Sequence, residues 1–309
     1  MNLNPLNIFK LRDARYDANE PHKNHRLDIV YALFKRHEPR AAQTEMAFFT
    51  DTSICSGCKA CEVACKQWNM LKTTKFNWSG DSYDNTRELS SETWRHVKFV
   101  ERFPEKNEVD KPAPKTIDAL LGEPKVGEWL FMADHCKHCQ ESPCQEACPT
   151  GAIIRNEFGG IYYQTDICMG CRMCVAACPF GVPEVSETTG HSMKCSECYD
   201  RLRDGLKPSC ATACTTGAIQ FGPREEMVER VRARLADLHA QGFEQANLYG
   251  VDPFMSYKPL NSFYLLMDEP AVYGLPNEPE LPVKFMVGDY AKAIGMLLIA
   301  SVAIVVCLL

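Results

Sequence analysis

Sixteen of the seventeen cysteines in this chain fall into four groups of four, and every group closes with a Cys-x3-Cys. The groups are Cys55, Cys58, Cys61 and Cys65; Cys136, Cys139, Cys144 and Cys148; Cys168, Cys171, Cys174 and Cys178; and Cys195, Cys198, Cys210 and Cys214. A 4Fe–4S cubane takes four thiolates, and the bacterial two-cluster run reads C-x2-C-x2-C-x3-C-P. The arithmetic therefore predicts four 4Fe–4S clusters and the passage of single electrons between them.

In a two-cluster run the fourth cysteine of one group ligates the cluster held by the first three of the other. Groups two and three are nineteen residues apart and are expected to pair: Cys136, Cys139 and Cys144 with Cys178, and Cys168, Cys171 and Cys174 with Cys148. Groups one and four then make the other module: Cys55, Cys58 and Cys61 with Cys214, and Cys195, Cys198 and Cys210 with Cys65. Pro149 and Pro179 follow two of the fourth cysteines, where a missing amide hydrogen and a fixed φ set the local turn. The eleven residues between Cys198 and Cys210 are expected to loop out and return, with Asp200, Arg201, Arg203 and Asp204 facing solvent or a partner.

Two other uses of cysteine fit less well. Zinc is bound by Cys-x2-Cys pairs, but two pairs per ion leave the third and fourth cysteines of every group unexplained. Disulfides suit small secreted chains, and bonding inside such tight groups would close many tiny loops. The net charge of −6 opposes nucleic-acid binding, which wants a basic face. No Gly-rich phosphate cradle follows an expected strand, and no base and nucleophile are ordered together, so any catalytic act belongs to a partner. Lys59, Lys137, Arg172 and Lys194 lie beside ligands and are candidates to raise a cluster's potential. His135, His138 and His191 are also near, but four thiolates per group leave no ligand role for them.

The elements that must position these groups are short. The predicted organisation is an N-terminal arm at 1–45; the first cysteine group and a cysteine-free insertion at 46–135; a central module at 136–194; and the fourth group at 195–222. A support helix and extended segment at 223–284 and a membrane anchor helix at 285–309 complete it. The arm carries a predicted helix over Arg26–Arg36 and no export signal. Trp94–Phe103 alternates like a strand, residues 104–125 read as a surface loop, and residues 152–164 read as a hairpin turning at Gly159-Gly160. Gly151-Ala-Ile and Gly217-Ala-Ile follow Cys-x3-Cys groups at the same interval, the mark of duplicated modules. Pro223 opens a helix with Val228, Val231, Leu235 and Leu238 on one face and Gly242 as its stop. Residues 293–309 carry no charge and are read as a single membrane span. The expected fold is α+β: two ferredoxin-like dicluster modules with inserted loops and a C-terminal transmembrane helix.

From Phe48 onward the chain resembles the beta subunit of membrane-bound formate dehydrogenase, within the four-cluster subunits that serve molybdopterin oxidoreductases. The resemblance rests on Ile54-Cys-Ser-Gly-Cys-Lys-Ala-Cys-Glu-Val-Ala-Cys-Lys-Gln-Trp-Asn69, on Cys136-x2-Cys-x4-Cys-x3-Cys-Pro149, on the gap before Cys210, and on Tyr273-Gly-Leu-Pro276. It implies a molybdenum or tungsten pterin subunit that oxidises formate, four clusters here, and a membrane cytochrome b that reduces quinone. A polysulfide, dimethyl sulfoxide or similar reductase is the alternative catalytic partner. The resemblance also implies a cytoplasmic-membrane location, with the lipid bilayer as a partner and the body on the outer face.

Overall fold

The computed structural model describes residues 44–73, 80, 83–84, 86–102, 128–280, 294–297 and 299. In chain order these form β1 (Met46–Asp51), α1 (Ala60–Trp68), β2 (Arg95–Arg102), β3 (Glu128–His135), α2 (Pro143–Glu146), β4 (Ile153–Arg155), β5 (Ile161–Tyr163) and α3 (Met173–Ala177). They continue with β6 (Glu184–Val185), β7 (Ser192–Met193), α4 (Tyr199–Arg203), α5 (Ser209–Ala213), β8 (Ile219–Pro223), α6 (Arg224–Ala240), β9 (Asn247–Tyr249) and β10 (Ser262–Leu266).

A four-stranded sheet in the order β8-β1-β10-β9 carries the fold. β1 runs parallel to β10 and antiparallel to β8. Side chains alternate across a strand, and both faces here are apolar because both are covered. Ala47, Phe49, Phe263 and Leu265 pack on Met227, Val231 and Leu238 of α6. Phe48 points the other way, into Cys61, Val97, Ala133, Cys210 and Phe221, and Tyr264 and Leu266 meet Met132 and Cys139. The sheet is thus a partition between a supporting helix and the cysteine-bearing loops.

α6 begins directly after Pro223 and ends before Gly242, whose φ of +93° suits glycine. Met227 joins Val231 and Leu238 on the buried face, while Val228 and Leu235 sit at its margin. Residues 152–164 form the hairpin β4–β5, with Gly159 at φ +87° in the turn. The strand over the insertion is β2, and its partner is β3, paired from Arg95↔His135 to Arg102↔Glu128. This ladder leads straight into Cys136. Beneath it His96 is buried between Asp84 at 3.0 Å and Glu62 at 3.4 Å. Burial would lower the imidazole's pKa, but the two carboxylates push it up to about 9.

The C-terminal span is corrected. Among the described residues no helix is long and apolar enough to cross a membrane. Of residues 293–309 only 294–297 and 299 are described, as helix. The other positions, Cys307 among them, lie outside the described residues, as do the arm with its Arg26–Arg36 helix and the 104–125 loop. The transmembrane helix in the expected fold, the lipid-bilayer partner and the cytoplasmic-membrane location all needed that span, and they fall with it.

Candidate metal centres

All sixteen grouped cysteines are free. Cys58 and Cys171 are exposed; Cys55, Cys148, Cys168, Cys178 and Cys214 are half-buried; the other nine are buried. Four thiolates on one zinc, with Zn–S bonds of about 2.3 Å, would stand within about 4 Å of each other. Among the described residues no cluster of His, Cys, Asp or Glu gathers for a single metal ion.

The cysteines gather instead around shared pockets. Cys148, Cys168, Cys171 and Cys174 line one with Tyr163 and Ser192. Cys136, Cys139, Cys144 and Cys178 line another with Lys137, Lys194 and Phe180. In each, the fourth cysteine of one group stands with the first three of the other. Groups one and four also meet. Cys55 interacts with Cys214, Cys61 with Cys210, and Cys65 with Cys210 and Cys198, while Cys58 Sγ lies 3.5 Å from Thr215 Oγ1. Helices α1 and α5 bring these groups together, with Ser209 Oγ donating to the Ala64 carbonyl at 3.3 Å. Cys195 interacts with both Cys65 and Cys136 and so adjoins two sites.

A repeated backbone device shapes each group. The residue before the second cysteine has positive φ every time: Gly57 at +65°, His138 at +43°, Gly170 at +70° and Glu197 at +62°. This left-handed turn aims an amide back at the first cysteine. His138 N donates to Cys136 Sγ at 3.5 Å and Glu197 N to Cys195 Sγ at 3.4 Å. Non-glycine residues in such conformations cost about 1–3 kcal/mol and collect at functional sites. Three residues after a fourth cysteine comes Gly151, Gly181 or Gly217, each again at positive φ. In group one α1 continues through that position, because Trp68 is held by Asp200 at 2.9 Å and by Arg201 at 4.3 Å over its ring. Asp200 and Arg201 therefore fasten the 198–210 segment to α1, while Asp200, Arg203 and Asp204 remain exposed.

Gly170 has a second constraint: a Cβ there would lie 2.2 Å from the Gly190 carbonyl oxygen. Gly170→Ala is expected to lose the about 1–2 kcal/mol of a left-handed alanine plus the cost of moving that backbone. Thermal unfolding and iron content should both fall. Gly181→Ala, whose Cβ would meet nothing within 4 Å, should lose only the conformational part. Equal behaviour of the two variants would refute this account.

The electrostatics separate the four cations singled out from sequence. Lys137 is buried but paired with Asp134. Lys59 faces Asp84 at 3.9 Å and the Phe99 ring at 5.1 Å. Arg172 is exposed. Lys194 is buried, donates to Ile161 O at 2.6 Å and Cys195 O at 2.9 Å, and acts on Cys136, Cys144 and Cys195. Burial, with Arg95 beside it, holds His135 well below the usual imidazole range. His138 is held down likewise by burial and by Lys194, and its Nδ1 accepts from Ile161 N at 3.0 Å.

Sequence reasoning missed Arg95, which is 2 % exposed. Its Nη2 has no hydrogen-bond partner, and the thiols of Cys210, Cys61 and Cys195 surround it. Only strand alternation in β2 pointed inward here, and an arginine is not expected on an inward face.

The donor set fits iron–sulfur clusters. Burial pushes the thiol of Cys61 up to about 12, that of Cys139 up to about 12 and that of Cys198 up to about 11. Side chains so reluctant to ionise alone are deprotonated when a metal takes them. The buried Arg95 guanidinium acts on one of them, Cys61.

Comparison with known proteins agrees. Family profiles described as 4Fe-4S dicluster domain match residues 54–152 and 127–224. The formate dehydrogenase iron-sulfur subunit of Haemophilus influenzae is 36 % identical over 288 residues, covering 90 % of this chain and 85 % of the relative. The formate dehydrogenase-O iron-sulfur subunit of Escherichia coli is 38 % identical over 257 residues, covering 81 % and 78 %. One chain of the anaerobic dimethyl sulfoxide reductase of Escherichia coli is 33 % identical over 184 residues, 60 % of the present sequence and 76 % of the relative. With iron–sulfur cofactors, an electron-relay role and no catalytic site of its own, the protein belongs to the family of formate dehydrogenase iron–sulfur subunits.

Proposed function

We propose that the chain holds four 4Fe–4S clusters and relays electrons from a molybdopterin subunit that oxidises formate to a cytochrome b partner that reduces quinone. Cys136, Cys139, Cys144 and Cys178 hold one cluster, and Cys168, Cys171, Cys174 and Cys148 a second. Cys195, Cys198, Cys210 and Cys65 hold a third, and Cys55, Cys58, Cys61 and Cys214 a fourth. The observation that carries this reading is the gathering of each cavity's four sulfurs across two groups. When bound, such clusters supply one-electron carriers.

The chain's own residues suit an ordered series. Tyr163 acts on Cys144 and Cys174, at the boundary of the first two sites. Cys195, acting on Cys136 and Cys65, adjoins the first and third, and Cys61 with Cys210 joins the third to the fourth. Exposed Cys171 and Cys58 belong to the outer sites, where partners can approach. Formate is favoured as the electron source because the formate dehydrogenase relatives cover up to 90 % of the chain, against 60 % for the dimethyl sulfoxide reductase relative.

The test is iron and acid-labile sulfide on the anaerobically purified complex, expected at four of each per cysteine group, with quinone reduction driven by formate. Zinc without sulfide would overturn the cofactors. Full clusters reduced by another donor and never by formate would overturn the electron source.

A further inference from the structure

Arg95 sits on β2 opposite His135, at the point where the insertion ladder enters the cysteine core. Its polar contacts with protein are few. One arm donates to the Ala133 carbonyl at 3.3 Å, and the guanidinium stands 5.5 Å from the Phe48 ring centre. The second arm has no partner. Among the described residues no carboxylate forms an ion pair with it, whereas Lys137, equally buried, has Asp134.

A lone buried guanidinium costs several kcal/mol, because nothing replaces the water it gives up. Arginine cannot relieve this by losing its proton. A compensating negative charge must come from what surrounds it, and the strongest neighbours are Cys210, Cys61 and Cys195, with Cys55 and Cys65 also influenced by it. Those five cysteines belong to groups one and four; none belongs to groups two or three. Packing alone gives no reason for an unpaired charge in this place, since a methionine would fill similar volume without the desolvation cost.

We propose that Arg95 is a positioning residue for electron transfer, a fixed positive charge between the sulfurs of groups one and four that favours the added electron there. This rests on the cluster assignment above. One electron arrives and one departs for each turnover of a site, and no proton moves, because the guanidinium stays protonated throughout. The guanidinium's fixed charge lowers the energy of the more negative state. Arg95 is thus the device that sets the group-one and group-four end of the series apart from the group-two and group-three end.

The experiment is a potentiometric titration, followed by electron paramagnetic resonance, of the assembled complex carrying R95M, R95Q or R95K, with iron and sulfide counted on every sample. A wild-type sample without its full clusters would sink the cluster assignment and not the role of Arg95. In fully loaded R95M the reduction equilibrium of a group-one or group-four cluster should fall at least tenfold, about 59 mV for a one-electron couple. The signals of groups two and three should stay in place, and R95K should lie closer to wild type than R95M does. Fully loaded R95M with every potential unchanged would overturn the proposal, as would equal shifts in R95K and R95M. If R95M loads poorly, R95Q, which keeps a donor and lacks the charge, is read by the same criteria. Should both neutral variants lose these clusters while R95K keeps them, the requirement for charge is upheld; loss in all three variants would leave only a packing role and overturn it.

Discussion

Replacing Cys65 with alanine is expected to abolish the cluster held by Cys195, Cys198 and Cys210, although Cys65 lies in group one. The thiol sits on the inner face of α1, is 5 % exposed, and interacts with Cys210 and Cys198. α1 packs against α5, which carries Cys210, so the crossing is built into a helix pair. Cys61→Ala, one turn earlier on the same helix, should instead affect the cluster shared with Cys55, Cys58 and Cys214. Resonance spectra of the two variants should lose different signals, and electron flow through either should drop by orders of magnitude. If Cys65→Ala removed only the signal that Cys61→Ala removes, the crossed assignment of groups one and four would be wrong.

Stripping iron and sulfide is expected to unfold the body rather than leave an empty shell. Structural zinc in small domains contributes about 10–16 kcal/mol of folding energy, and a whole domain is stable by only about 5–15 kcal/mol. On the four clusters proposed above, metal binding outweighs the stability the remaining core supplies. Their loops are short helices of four or five residues, such as α2, α3, α4 and α5, far below the length that is stable alone. They would also keep Arg95 buried without a counter-charge. Circular dichroism and hydrogen exchange on the iron-free chain should show loss of cooperative unfolding, with α6 as the element best able to keep helical content. A sharp, native-like thermal transition after complete removal would contradict this.

Much of the site was legible because cysteine spacing is a direct chemical statement. The two-cluster pattern and the hairpin between groups two and three follow from local rules. The sheet was not legible, because β1 pairs with β10 across most of the chain and no local pattern announces a parallel partner that distant. β3 was hidden because Glu128 to His135 mixes acidic, aromatic and small residues, and only its ladder with β2 makes it a strand. Arg95 was hidden for the reason that makes it informative: inward arginines break the hydrophobic pattern on which such reading depends. The four cations noticed in sequence were chosen by adjacency to a cysteine. Adjacency places Lys59 and Arg172 at left-handed turns, where Lys59 faces Asp84 and Arg172, though it borders one cysteine pocket, is exposed.

The partition between α6 and the cysteine loops has a consequence for biosynthesis. Register pairs such as Asp51↔Leu265 link residues that leave the ribosome roughly ten to forty seconds apart at about 5–20 residues per second. For most of that interval the earliest thiols lack Cys214, and throughout it they lack the closing strand, so they stand open to sulfenic acid and stray disulfides. Delivery of iron must therefore await a nearly finished polypeptide, and oxygen encountered during synthesis should harm this protein more than oxygen encountered afterwards.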